Sequence, residues 1–271
     1  MTAALSISDL SQFRAFAHQL ADAAGKVILP YFRQSLSVEN KNGDGGFDPV
    51  TEADRRAEEV IRALIRQHFP EHGVMGEEYG FERGRSPLTW VIDPIDGTRA
   101  FMCGMAQWGT LIALNDGVRP ILGILDQPYT QERWTGGGGT CEFLHQGFPA
   151  KPMRSRRGLR LAEATLTTTS PVGYFDDTEQ RAFWALSNET RLTRFGGDCY
   201  AYGLLAHGLI DIIVESSLKA WDVQALIPIV EGAGGVMTDW EGHSCADGGQ
   251  VVACGDPALL RPVLQVLADA R

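Results

Sequence analysis

Trp90-Val91-Ile92-Asp93-Pro94-Ile95-Asp96-Gly97-Thr98 decides how the rest of the chain is read. An apolar run delivers two carboxylates, a glycine and a hydroxyl in quick succession. Carboxylates leaving the end of a strand are hard oxygen ligands of the kind Mg²⁺ takes, with water and substrate phosphate completing its shell. Held by Pro94, Asp93 and Asp96 can project towards one point and bridge two ions about 4 Å apart, the spacing of two-metal phosphoryl chemistry. The Gly97-Thr98 step can turn backbone N–H groups towards a phosphate oxygen. A lone Asp-x-x-Asp would more often be a polar turn after a strand; the hexapeptide Asp93–Thr98 is far more specific.

Working outward, Glu77-Glu78 follows Gly76 upstream, and Trp221-Asp222 lies well downstream. Alone, the glutamate pair would be a solvated loop and Asp222 a helix cap or a surface acid. Asp54 reads first as the acidic member of a helix cap at Thr51. Together with Asp93 and Asp96 these acids look like scattered parts of one metal-binding phosphatase centre.

The chain has 271 residues, 44% hydrophobic, enough to bury a full core in one large domain or two closely packed halves. Its formal net charge of −10 argues against nonspecific nucleic-acid binding, which needs a basic stripe. Five widely spaced cysteines with no Cys-x-x-Cys pair point to free thiols in a reduced, cytoplasmic setting and away from a zinc site. Residues 1–9 show neither the basic nor the apolar segment of a signal peptide, and no apolar run is long enough to span a bilayer. Of the six histidines, His18, His68, His72, His145, His207 and His243, none is assigned to catalysis, because they form no metal-spaced pair.

Leu10, Phe13, Ala17, Leu20, Ala24, Val27, Ile28 and Tyr31 recur at helical spacing and predict a long amphipathic helix. A Gly- and Asp-rich loop follows at 40–49, and a second helix starts near Thr51 with the stripe Ala57, Val60, Ile61, Leu64, Ile65 and Phe69. Strand-like runs lie at 88–92, 108–115, 120–125 and 132–135, and the glycines at 136–139 read as a turn. The later part alternates strands at 164–168, 191–195, 210–215, 236–238 and 251–253 with helices at 178–187, 199–207, 223–233 and from Pro257. Pro228 should kink the third of these helices or limit its first turns. Such alternation implies helices layered on sheets. The basic, polar stretch at 151–160 is read as a boundary between an N-terminal α+β half, residues 1–150, and a C-terminal α/β half, residues 151–271.

Asp48-Pro49-Val50-Thr51-Glu52-Ala53-Asp54, Gly76-Glu77-Glu78, the stretch from Trp90 to Thr98, and Trp221-Asp222 with Glu231-Gly232-Ala233-Gly234-Gly235 resemble the motifs of the inositol monophosphatase superfamily, in that family's order and across most of the chain. The resemblance implies an α+β fold, a layered αβαβα sandwich, usually dimeric. It also implies Mg²⁺-dependent, Li⁺-sensitive hydrolysis of a small phosphate monoester. By position, Glu77, Asp93, Asp96, Asp222 and the Ile95 carbonyl match metal ligands, with Glu77 also counted in the catalytic set. Asp54 and Thr98 match the pair that activates the attacking water, and Gly97 and Thr98 match the phosphate-binding amides. The loop Asn42-Gly43-Asp44-Gly45-Gly46-Phe47-Asp48, preceded by Lys41, departs from the family's shorter pattern.

Arg99-Ala100-Phe101 with 108–112, Phe195-Gly196-Gly197-Asp198 with 199–202, and the segment 223–235 with its Ala-Leu-Ile-Pro resemble the histidinol-phosphate phosphatase branch. That substrate carries an ammonium and an imidazole, which favour carboxylates around the leaving group. Asp198 and Glu215, with Asp96, match substrate-side positions. The expectation is a histidinol-phosphate phosphatase of histidine biosynthesis. An inositol-phosphate or broad sugar-phosphate phosphatase is the alternative, and a regulatory binding protein with the same fold is the reading from another class.

Overall fold

Phe13, Phe16, Ala17, Leu20, Ala21, Ala24 and Ile28 are all buried, and their spacing lays one apolar stripe along the helix α1 (Ile7–Ile28). The computed structural model describes residues 7–34, 38–40 and 49–271; the loop residues 41–48 singled out in the sequence lie outside the described residues. Short strands β1 (Val38–Asn40) and β2 (Pro49–Thr51) pair antiparallel ahead of α2 (Glu52–His68). The expected cap is present. The Thr51 hydroxyl accepts from the Ala53 N–H at 3.2 Å, and the Asp54 carboxylate accepts from the Thr51 N–H at 2.9 Å.

The first sheet comprises β3 (Gly73–Gly76), β4 (Gly80–Glu82), β5 (Thr89–Asp96), β6 (Gly109–Asn115), β7 (Pro120–Gln127), β8 (Glu132–Gly137), β9 (Thr140–His145) and β10 (Lys151–Pro152). Its order is β10-β9-β8-β7-β6-β5-β3-β4, antiparallel except where β3 runs parallel to β5. The short helix α3 (Thr98–Met102) leaves the end of β5. The second sheet holds β11 (Thr165–Thr168), β12 (Leu192–Phe195), β13 (Ile212–Lys219), β14 (Val236–Thr238) and β15 (Gly248–Cys254) in the order β12-β11-β13-β15-β14. The remaining helices are α4 (Asp177–Glu189), α5 (Tyr200–Ala206), α6 (Ala220–Val223), α7 (Leu226–Gly232) and α8 (Leu260–Asp269).

Period-two alternation along the strands builds three cores. Trp90, Ile92, Ile112, Leu114, Leu122 and Ile124 face α1 and α2. Val91, Leu111, Ala113 and Leu125 point the other way, onto α5 and α7 and towards Ile213, Val251 and Ala253 of the second sheet. Ile212, Val214, Val252 and Cys254 face the outer helices α4 and α8. Three cores between five layers make the αβαβα sandwich that the sequence led us to expect.

Several elements differ from the sequence reading. The helix expected over 223–233 is α7, which starts at Leu226 after a separate α6 ends at Val223; Pro228 sits in the first turn of α7, where a missing N–H breaks no intrahelical bond. The hairpin β3–β4 lies between α2 and β5, and β9 and β10 follow the glycine turn. β3, β4 and β10 have 4, 3 and 2 residues, too few for a periodic signal, whereas β9 does alternate exposed Thr140 and Glu142 with buried Cys141 and Phe143.

Candidate metal centre

The Asp93–Thr98 stretch gains its geometry from a β-bulge. Asp93 pairs with Leu111 but Asp96 with Gly109, so β5 carries one extra residue there. In a regular strand, residues three apart face opposite sides of the sheet. The extra residue returns Asp96 to the side of Asp93, the side of the middle layer. A proline is tolerated at such a bulge, and the Pro94 carbonyl accepts the Thr110 hydroxyl at 2.8 Å. Gly97 follows with φ +83°; a Cβ there would lie 2.8 Å from the Gln107 carbonyl oxygen and 3.2 Å from the Asp198 Cβ. Only glycine suits both the left-handed backbone and the space.

Asp222 enters from α6. Its carboxylate accepts the Lys219 N–H at 2.7 Å, which closes the first turn of that helix and aims the side chain. Asp96 is oriented from a third element, since it accepts the Cys199 N–H at 2.8 Å. One ligand oxygen each from Asp93, Asp96 and Asp222 falls within 4.8 Å of the others. Glu77, in the turn between β3 and β4, lines the same cleft, as do Ile95, Gly97, Thr98, Asp198 and Glu215. The cleft encloses about 460 Å³ and opens between the two sheets. Among the described residues, no histidine lines it.

The electrostatics express crowding. Burial, then repulsion from Glu77, Asp96 and Asp222, pushes the Asp93 carboxyl well above the ordinary carboxylate range. Burial and the charges of Asp222 and Asp198 do the same to Asp96. Asp222 is pushed up to about 7, by burial first and by repulsion from Glu77, against the Lys219 amide that favours its charged form. An all-oxygen, mutually repelling donor set fits hard divalent cations, whose charge relieves the repulsion.

Asp54 stands apart from the cleft lining. It is buried, and its acid is raised to about 6, mainly by burial, with the bonds from Thr51 opposing. Repulsion from Glu77 also raises it. One carboxylate oxygen is bonded to Thr51, and the other, Oδ1, is buried without a partner among the described residues. The Thr98 hydroxyl donates to the Ile95 carbonyl at 3.0 Å rather than to Asp54. The orphaned Oδ1 fits a site built to take a further polar group, such as a water.

On the opposite wall, Glu215 is 4% exposed and held by the Thr168 hydroxyl at 3.0 Å, the Thr169 N–H at 2.8 Å and the Thr169 hydroxyl at 2.9 Å. Burial still raises it to about 7. Asp198 has a left-handed backbone, φ +43°, and the cap position of α5 is Cys199, with no side-chain cap bond among the described residues. Burial raises it to about 6, and Arg99 pulls it down. Tyr174 and the run from Ser216 to Lys219 also line the cleft without a signal in the sequence; Tyr202 lines it too and enters the sequence reading only within the stretch 199–202. Ser216 and Ser217 come there through a register shift in β13 between Glu215 and Leu218, which no local pattern announces.

The family model described as "Inositol monophosphatase family" matches residues 9–268. The chain is 39% identical over 274 residues to the bifunctional phosphatase IMPL2, chloroplastic, of Arabidopsis thaliana, covering 97% of this chain and 77% of that protein. It is 34% identical over 252 residues to the histidinol-phosphatase of Chlorobaculum parvum, covering 93% and 95%. A solved inositol monophosphatase from Zymomonas mobilis superposes with a TM-score of 0.84 at 42% identity, over 95% of this chain and 98% of that one. Fold, acidic centre and sequence agree: the chain belongs to the inositol monophosphatase family and is one of its metal-dependent phosphatases.

Proposed function

We propose that the protein is a Mg²⁺-dependent histidinol-phosphate phosphatase, converting histidinol phosphate and water to histidinol and phosphate in histidine biosynthesis. One observation carries the substrate reading: two further carboxylates, Asp198 and Glu215, line the same cleft as the Asp93, Asp96 and Asp222 cluster. A phosphate at the cluster would leave its cationic tail facing them. The likeness to histidinol-phosphatases supports the reading.

Glu77, Asp93, Asp96, Asp222 and the Ile95 carbonyl would hold the ions. When bound, they supply neutralisation of the phosphate dianion and lower the pKa of water. Gly97 and Thr98 offer backbone N–H groups where the β5 bulge ends. Asp54, with its orphaned oxygen, and Thr98 orient the attacking water. The Cys199 amide keeps Asp96 aimed into the cleft. Uncatalysed phosphate-monoester hydrolysis is among the slowest reactions known, and this arrangement addresses charge and orientation together.

A second reading, inositol-phosphate hydrolysis, is favoured by the 42% identity to the Zymomonas inositol monophosphatase. Turnover of histidinol phosphate against inositol 1-phosphate with Mg²⁺ separates the two. The proposal expects kcat/KM to favour histidinol phosphate; strong preference for the inositol ester would sink it.

A further inference from the structure

We propose that Glu58 is a positioning residue for the centre, fixing where Glu77 stands by holding the turn that carries it. The inference rests on the reading of Glu77 as a metal ligand. Glu58 is fully buried on α2, one helical turn after Asp54. It does not reach the cleft lining. Its carboxylate accepts the Glu78 N–H at 2.8 Å and the Tyr79 N–H at 3.2 Å. Those are the two residues after Glu77 in the turn between β3 and β4.

The clamp has more parts. Arg62, one turn further along α2, donates to Glu58 at 2.7 Å and also to the Gly80 carbonyl. Gly80 pairs with Gly76 to close the hairpin. A Cβ on Gly76 would sit 2.1 Å from the Glu58 carboxylate, so the carboxylate occupies the place of a side chain directly beneath the residue before Glu77. Tyr79 adds a bond from its hydroxyl to Glu59 at 2.7 Å. Helix α2 therefore carries Asp54 at its start and grips the Glu77 turn from its middle. Asp54 and the grip on the turn thus sit on one helix, and a displacement of the turn moves Glu77 relative to Asp93. A charged acceptor suits this position because two N–H groups and a guanidinium converge on it. A glutamine would set its own NH₂ against one of those donors.

The test measures Mn²⁺ binding to the full chain by electron paramagnetic resonance, without substrate, for wild type, Glu58→Gln, Glu77→Gln and the double variant. Glu58→Gln is expected to weaken binding at least about tenfold, the low end of what outer-sphere partners are worth. The double variant is expected to bind no more weakly than about twofold below Glu77→Gln alone, because Glu58 acts through Glu77. If Glu77→Gln weakens binding and Glu58→Gln weakens it by less than about tenfold, the positioning role is overturned and the ligand reading survives. Multiplying effects in the double variant also overturn it, since a merely structural role gives that result. If Glu77→Gln leaves binding unchanged, Glu77 is not a ligand and the inference falls with that reading. Should Glu58→Gln fail to fold, Gly76→Ala strains the same contact from the strand side, and the same comparison with Glu77→Gln decides.

Discussion

Asp222→Asn should make the metal-free protein more stable near pH 8 while removing much of its response to Mg²⁺. The Asp222 acid is raised from an ordinary 3.8 to about 7 in the folded chain. The folded state therefore keeps a proton that the unfolded state has lost between those values. Stability from this group is fully present below 3.8 and is lost as the pH rises through 7. Near pH 8 the penalty on the charged form is about 4 kcal/mol as an upper bound. Asparagine keeps an oxygen for the Lys219 N–H, so the first turn of α6 retains its cap bond. The substitution then mimics the protonated acid. Recovery of part of the penalty, about 1–3 kcal/mol, raises the melting temperature by roughly 2–5 °C in a chain of this size. Calorimetry in a chelator near pH 5 and pH 8, then with Mg²⁺, reads the effect. The gain should appear near pH 8, shrink near pH 5, and be accompanied by a smaller Mg²⁺-induced shift than wild type shows. A variant no more stable than wild type near pH 8, or equally stabilised at both pH values, would refute the reasoning.

Gly97→Ala should cost about 2–5 kcal/mol, from the left-handed backbone and the contact with the Gln107 carbonyl, read as a lower melting temperature with loss of turnover. Glu215→Gln should lower kcat/KM for histidinol phosphate about 10- to 100-fold, the worth of a lost charge-assisted contact, and lower that for inositol 1-phosphate by less; equal losses would assign Glu215 to the scaffold. Asp93→Asn should abolish phosphatase activity in cells and in vitro, and a cellular role that survives it would favour a binding function over catalysis.

The layered fold was legible because its signals are periodic. The stripe from Phe13 to Ile28 and the alternation through Val91 and Ile92 each mark a buried face by residue order alone. The Thr51–Asp54 cap was legible because it is local. What stayed hidden depends on distant partners. The reason Asp93 and Asp96 share a side is the bulge against β6, which arises from pairing rather than from Pro94 alone. The backbone of Asp198 and the register shift that brings Ser216 and Ser217 to the cleft are likewise tertiary. Glu58 and Arg62 did leave a trace. A glutamate and an arginine four apart sit beside the apolar stripe of α2 and are buried with it. Buried charges of that kind are rare unless they serve a partner.

If the Asp93, Asp96 and Asp222 cluster holds the cations of a phosphatase, turnover must depend on it. Phosphate release from histidinol phosphate, followed across a Mg²⁺ titration for wild type and Asp93→Asn, tests it most directly. Expected are no turnover in chelator, saturable activation by Mg²⁺ in wild type, and a loss exceeding about 100-fold in the variant. Turnover in wild type that persists in chelator, or a variant that responds to Mg²⁺ as wild type does, would contradict it.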